Sequence, residues 1–141
     1  MAGLTIAIAF AVACAGSRAL EADRAYQLGL ASVERIDVSV MMKRPASVHV
    51  NAFGTLPDSC TEIERSQQER FGSQINVMLS TRRESRAGCV AEARPFERRI
   101  LLDVVGLPAG VYSVTVNGVQ GSFHITKDLD AWRPWEKWSY Q

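Results

Sequence analysis

None of the first 17 residues of this 141-residue chain is Lys, Arg, Asp or Glu, and no Trp occurs before position 132. Histidine appears twice and cysteine three times, and no two cysteines have C-x-x-C spacing. That scarcity argues against a zinc ribbon, a thioredoxin-type redox site and a multi-histidine metal centre. No G-x-S-x-G or comparable nucleophile motif is present, so nothing recruits His49 or His124 into a hydrolase triad. An excess of one charge is missing too: 16 Lys and Arg against 15 Asp and Glu give a net +1. Such a balance supplies no general attraction for nucleic acid. The expectation is a non-enzyme with no catalytic residues, metal ligands or cofactor, and no nucleic-acid partner.

What is present begins with an apolar run. Residues 1–17 read MAGLTIAIAFAVACAGS. A spanning helix needs roughly 20 apolar residues; this shorter run, ending in small side chains, better fits a secretory signal. No basic residue precedes it. Ala11-Val12-Ala13-Cys14 resembles the lipobox of bacterial lipoproteins, although that family usually has Leu where Ala11 stands. The resemblance implies that Cys14 becomes the first mature residue and carries acyl chains. Each buried methylene contributes about 0.8 kcal/mol to membrane anchoring. A signal cut near Ala15-Gly16-Ser17 and a short uncleaved anchor are the alternatives. Setting Cys14 aside leaves Cys60 and Cys89, which in an oxidising compartment would form one bridge. The expected organisation is a signal or lipobox-type segment over 1–16, a tether over 17–32, a β-sandwich over 33–126 and a Trp-rich tail over 127–141.

From Val33 onward the chain alternates with period two, the mark of strands with one buried face. Ile36, Val38 and Val40 form one such set, and Val48, Val50 and Ala52 a second. Ile75, Val77 and Leu79 form a third, and Ile100, Leu102 and Val104 a fourth. Thr61 to Arg70 fits either a polar helix or an exposed edge strand. Near the end, Tyr112, Val114 and Val116 share a face before Asn117-Gly118, and Phe123 with Ile125 completes a hairpin. Asn-Gly favours the type I′ turn, which needs positive φ at both central residues. Six or seven strands in about ninety residues predict two packed antiparallel sheets.

Leu107 to Gly118, LPAGVYSVTVNG, resembles the penultimate strand and hairpin of small exported bacterial immunoglobulin-like domains of unassigned function. That resemblance implies an immunoglobulin-like antiparallel β-sandwich of about seven strands, with the Tyr112 hydroxyl reaching nearby backbone. The Cys-Trp-Cys core of antibody domains is absent, since every Trp lies in the tail.

Three features bear on partners. Arg82, Arg83 and Arg86 open a run of six arginines in eighteen residues, a candidate patch for anionic groups. Trp132, Trp135, Trp138 and Tyr140 form an aromatic tail of the kind favoured at protein interfaces, a candidate partner-binding segment. The polar stretch Thr61 to Arg70 is a candidate edge for an added strand. Together these lead to the expectation of a non-catalytic envelope lipoprotein, periplasmic or cell-surface, that binds a protein partner and is tethered to a membrane at Cys14. One alternative is a periplasmic ligand or copper carrier using Met41, Met42, His49, Met78 or His124. A blue-copper centre does not fit, because no Cys follows Cys89 and no Met follows Met78. The other alternative is a secreted protease or lysozyme inhibitor presenting the loop Gly54 to Ser59.

Overall fold

Eight strands account for the alternating segments, in a computed structural model that describes residues 26–43, 46–85 and 88–129. They are β1 (Tyr26–Leu30), β2 (Ser32–Met41), β3 (Ser47–Leu56), β4 (Thr61–Phe71), β5 (Gln74–Glu84), β6 (Arg94–Leu101), β7 (Gly110–Val116) and β8 (Val119–Ile125). In β3 every second residue from Val48 to Leu56 is buried, and β5 and β7 alternate in the same way. These faces meet in one core containing Val50, Leu79, Val114, Val116 and Ile125. The fold is an all-β sandwich, as the alternation predicts.

One sheet has three strands in the order β2-β3-β6, all antiparallel. The other has five. In it β4 covers one edge of β5, while β1 and β7 share the opposite edge end to end and β8 follows β7. The β5–β7 pairing is parallel over Gln74–Val77, the one departure from the all-antiparallel expectation.

Where the edge of β5 changes partner, a side chain completes the ladder. Asn117 Oδ1 accepts the Leu79 amide at 2.9 Å, and its Nδ2 donates to the Ala31 and Leu79 carbonyls at 2.9 and 2.8 Å. The same residue is the first of the β7–β8 turn, with φ of 46°, followed by Gly118 at 91°. Asparagine is among the few non-glycine residues that tolerate this region. The Tyr112 hydroxyl donates to the Pro108 carbonyl at 2.7 Å, as the immunoglobulin-like resemblance implies.

The two sides of the sandwich close differently. On one side a β-bulge between Val33 and Arg35 faces Gly54, where a Cβ would fall on the Ser32 carbonyl oxygen. Further along that side Gly121 lets Ile36 and Val38 of β2 lie against β8, with an added Cβ only 3.0 Å from Ile36 Cδ1. On the other side inward-facing polar groups of β4 reach across to the opposite sheet. Gln68 Nε2 donates to the Leu101 carbonyl at 2.7 Å, and its Oε1 accepts the Asp103 amide at 3.0 Å. Arg70 donates to the Val105 carbonyl at 2.9 Å.

Three boundaries differ from the sequence reading. The expected tether over 17–32 ends in a strand, because Tyr26–Leu30 pairs with β5 from Tyr26↔Glu84 to Leu30↔Ser80. β3 runs through Gly54 to Leu56, where a loop was expected. β6 starts at Arg94 and stops at Leu101, so Leu102 and Val104 are buried beyond the strand.

Candidate interaction surface

One end of the sandwich is built around Asp58. Leu56 closes β3 inside the core and Pro57 turns the chain outward, so the Asp58 carboxylate folds back over the next residues. Its Oδ1 accepts the Cys60 amide at 2.9 Å and the Thr61 hydroxyl at 2.8 Å. The Oδ2 atom takes Arg83 Nε at 2.6 Å. Bonds from Arg83 and then Thr61 favour the charged form and outweigh partial desolvation, so the carboxyl pKa falls from 3.8 to about 2. Arg94 donates to the Asp58 and Thr61 carbonyls at 3.2 and 2.9 Å. Ser59 and Val90 bond reciprocally, the Ser59 amide to the Val90 carbonyl and the Val90 amide to Ser59 Oγ. Cys60 and Cys89 form a disulfide with Cα atoms 5.5 Å apart. The segment from Gly54 to Ser59, expected as a presented inhibitory loop, is therefore strand and stapled turn, with Leu56 and Asp58 buried.

Beside this end lies β1, whose five residues are all exposed although they pair with β5. Tyr26, Leu28 and Leu30 share the outer face with Arg82 and Ser80, while Gln27 and Gly29 face inward opposite Arg83 and Thr81. Tyr26 is 41% exposed, Leu28 66% and Leu30 63%. The Arg82 guanidinium stacks over the Tyr26 ring at 4.6 Å, bounding the apolar strip with a cation. Beneath β1 a groove of about 450 Å³ opens between the sheets, lined by Gly29, Ser32, Thr55, Leu56, Pro57 and Thr81 among others.

Among the described residues β1 pairs on one side only, with β5. The Ala31 amide donates to the Leu79 carbonyl at 3.0 Å, so odd-numbered positions face β5. Antiparallel ladders alternate, which turns the N–H and C=O groups of Tyr26, Leu28 and Leu30 away from β5. No Lys, Arg, Asp, Glu, His or Pro interrupts this strand. By contrast β4, the edge strand expected from Thr61 to Arg70, carries Glu62, Glu64, Arg65, Glu69 and Arg70. Charged side chains are a common protection of sheet edges. The sequence correctly placed an edge at β4; among the described residues β1 is a further edge, and it carries no charge.

The two described members of the arginine candidate, Arg82 and Arg83, are not brought together. Arg82 and Arg83 point to opposite faces of β5, one onto Tyr26 and the other onto Asp58. Arg86 lies outside the described residues, as do Cys14, Trp132, Trp135, Trp138 and Tyr140. His49 sits on the outer face of the three-stranded sheet and His124 on that of the five-stranded sheet, so the sandwich separates them. His49 Nδ1 and Asn51 Oδ1 are buried without a hydrogen-bond partner among the described residues. No group of three or more His, Cys, Asp or Glu side chains among those residues is placed to hold a metal ion. Asp58 is the structural residue missed in the sequence. Its signal is Asp two residues before Cys60, the spacing of a side chain bonding backbone two residues on.

A disulfide-stapled β-sandwich of eight strands among the described residues defines the class of this protein. Residues 50–125 match the ORF11 beta-sandwich domain, and the chain belongs to that family. It is 31% identical over 87 residues to an uncharacterized 10.2 kDa protein in the HgiCIIM 5′ region of Herpetosiphon aurantiacus, covering 62% of this chain and 92% of that protein. A second 10.2 kDa protein of the same organism, from the HgiBIM 5′ region and also uncharacterized, is 35% identical over 75 residues, 53% of this chain and 90% of that protein. No solved structure matches the chain.

Proposed function

We propose that the chain is a non-catalytic protein-interaction module of the cell envelope, held at a membrane by a lipid on Cys14. Its partner contributes an extended segment that adds to the free edge of β1. The observation that carries this reading is the edge itself: uncharged, backbone groups directed outward, and flanked by exposed Tyr26, Leu28 and Leu30. Strand addition draws affinity from main-chain hydrogen bonds and specificity from alternate side chains, and here the inner alternate positions meet the groove. The uncharged run before Arg18 supports export, and the Cys60–Cys89 bridge suits an oxidising compartment. Trp132, Trp135, Trp138 and Tyr140 supply a second partner contact in this reading.

Two measurements test it. Intact mass of the protein extracted in detergent should show a chain starting at Cys14 with acyl mass, and an unprocessed chain removes the anchor. A photo-crosslinking residue at Leu28 or Leu30 in cells should capture a protein, while one at Ser122 on β8 should not. Equal capture at both places would defeat the edge reading.

A further inference from the structure

We infer that the strand received by β1 is the β1 of a second copy of this chain, paired antiparallel about a two-fold axis at Leu28. The inference rests on the reading of β1 as an acceptor edge and names its occupant. The argument is self-complementarity in one register. A two-fold axis through Leu28 pairs Leu28 with itself, Tyr26 with Leu30, and Gln27 with Gly29.

Each of those pairings suits the residues involved. Tyr26, Leu28 and Leu30 direct their backbone groups to the free edge, so the Leu28–Leu28 and Tyr26–Leu30 pairs exchange two hydrogen bonds each. Side chains of those pairs meet on the outer face, where all three are exposed, and none is charged. Inside, each Gln27 lies beside a Gly29 that has no side chain to crowd it, above the groove. A one-residue slip would place the outward-facing backbone of one copy against groups already bonded to β5, so only even shifts keep the ladder, and among those the Leu28-centred one pairs all five residues. Isologous contacts of this kind close as dimers and stop there. Five residues a side make a small interface, so association is weak and is favoured where chains are concentrated.

The test is sedimentation equilibrium of the full chain, in detergent, up to roughly millimolar concentration, where weak contacts are populated. A monomer–dimer equilibrium is expected. Leu28→Lys sets two like charges opposite each other on the axis, and Leu28→Glu does the same with the opposite sign. Each variant alone should raise the dissociation constant roughly tenfold or more, and their mixture should recover association as a heterodimer. Because Leu28 is exposed and its amide points away from β5, both variants should unfold at temperatures near that of the wild type.

A wild-type chain that stays monomeric overturns self-pairing, as does a dimer indifferent to both substitutions. Amide exchange of Tyr26, Leu28 and Leu30 in a monomer then separates two failures. Fast exchange leaves the edge open for a different protein and keeps the proposed function. Slow exchange means the edge is covered within the chain, and both readings fall together.

Discussion

Two side chains hold this sandwich where its backbone ladders run out. Asn117 supplies an acceptor and two donors at the gap between β7 and β1, replacing the bonds that a continuous strand would have made. Asp58 does the equivalent work at the stapled end, accepting from one backbone amide, one hydroxyl and one guanidinium. A carboxylate stabilised in its charged form makes folding depend on pH. The folded pKa of about 2 lies below the ordinary 3.8, so this contribution is complete above the ordinary value and is lost as pH falls through about 2. Asp58→Asn removes the charge and keeps the shape. The variant should have a lower urea midpoint than wild type at neutral pH, with the gap narrowing between roughly pH 4 and pH 2. A gap that stays constant across that window would show that the Asp58 charge contributes nothing to stability.

At the scale of the element, the bulged β2 and the glycine opposite it form one device. Val33 to Arg35 bulges, and Gly54 gives the Ser32 carbonyl room to enter β3's side of the pair. Phe96 of β6 closes the same space, with its Cε1 2.9 Å from where a Cβ would stand. Gly54→Ala must therefore move backbone as well as an aromatic ring. It should cost about 1–3 kcal/mol, the usual range for overpacking, read as a lower denaturant midpoint with unchanged slope. A neutral result would mean that the bulge shifts freely.

The elements also differ in how legible they were. β3, β5 and the β7–β8 hairpin alternate cleanly, because one face is buried and the other wet, and β2 does so with one face half-buried. β1 escaped because its large side chains are on the outer, exposed face, so Tyr26, Leu28 and Leu30 read as scattered apolar residues in a tether. The start of β6 was hidden because Arg94 to Arg99 is exposed on both faces except at Phe96. The turn at Asn117 was plain, but its bonds to Ala31 and Leu79 join positions 86 and 38 residues apart, which no local pattern records. Arg82 and Arg83 were adjacent in sequence and therefore grouped; strand geometry sends neighbours to opposite faces. The disulfide needed only the count of cysteines left in the folded region.

For the whole molecule, stability comes from a central core and from a staple at one end. The core spans both sheets, from Val48 and Ile100 to Leu79, Val114 and Ile125. The disulfide and the Asp58 cluster lock one end of it, beside the groove and the open edge of β1. The bridge joins residues 29 apart, so its loss chiefly frees the unfolded chain and should cost about 2–4 kcal/mol. Replacing Cys60 and Cys89 together with Ala should lower the unfolding free energy by that amount while the sandwich still folds, since the central core cluster contains neither cysteine. Reductant should destabilise the wild type to a similar extent and leave the double variant unaffected, both read by urea unfolding. In the variant, amide exchange at Ser59, Val90 and Glu84 should quicken, because their bonds tie the two cysteine-bearing segments together. Exchange at Val114 and Ile125 should change only as far as global stability changes. If the core amides quickened as much as those beside the bridge, the staple would be a condition of folding. If only the stapled end loosens, the bridge serves to hold rigid the turn that borders the β1 groove.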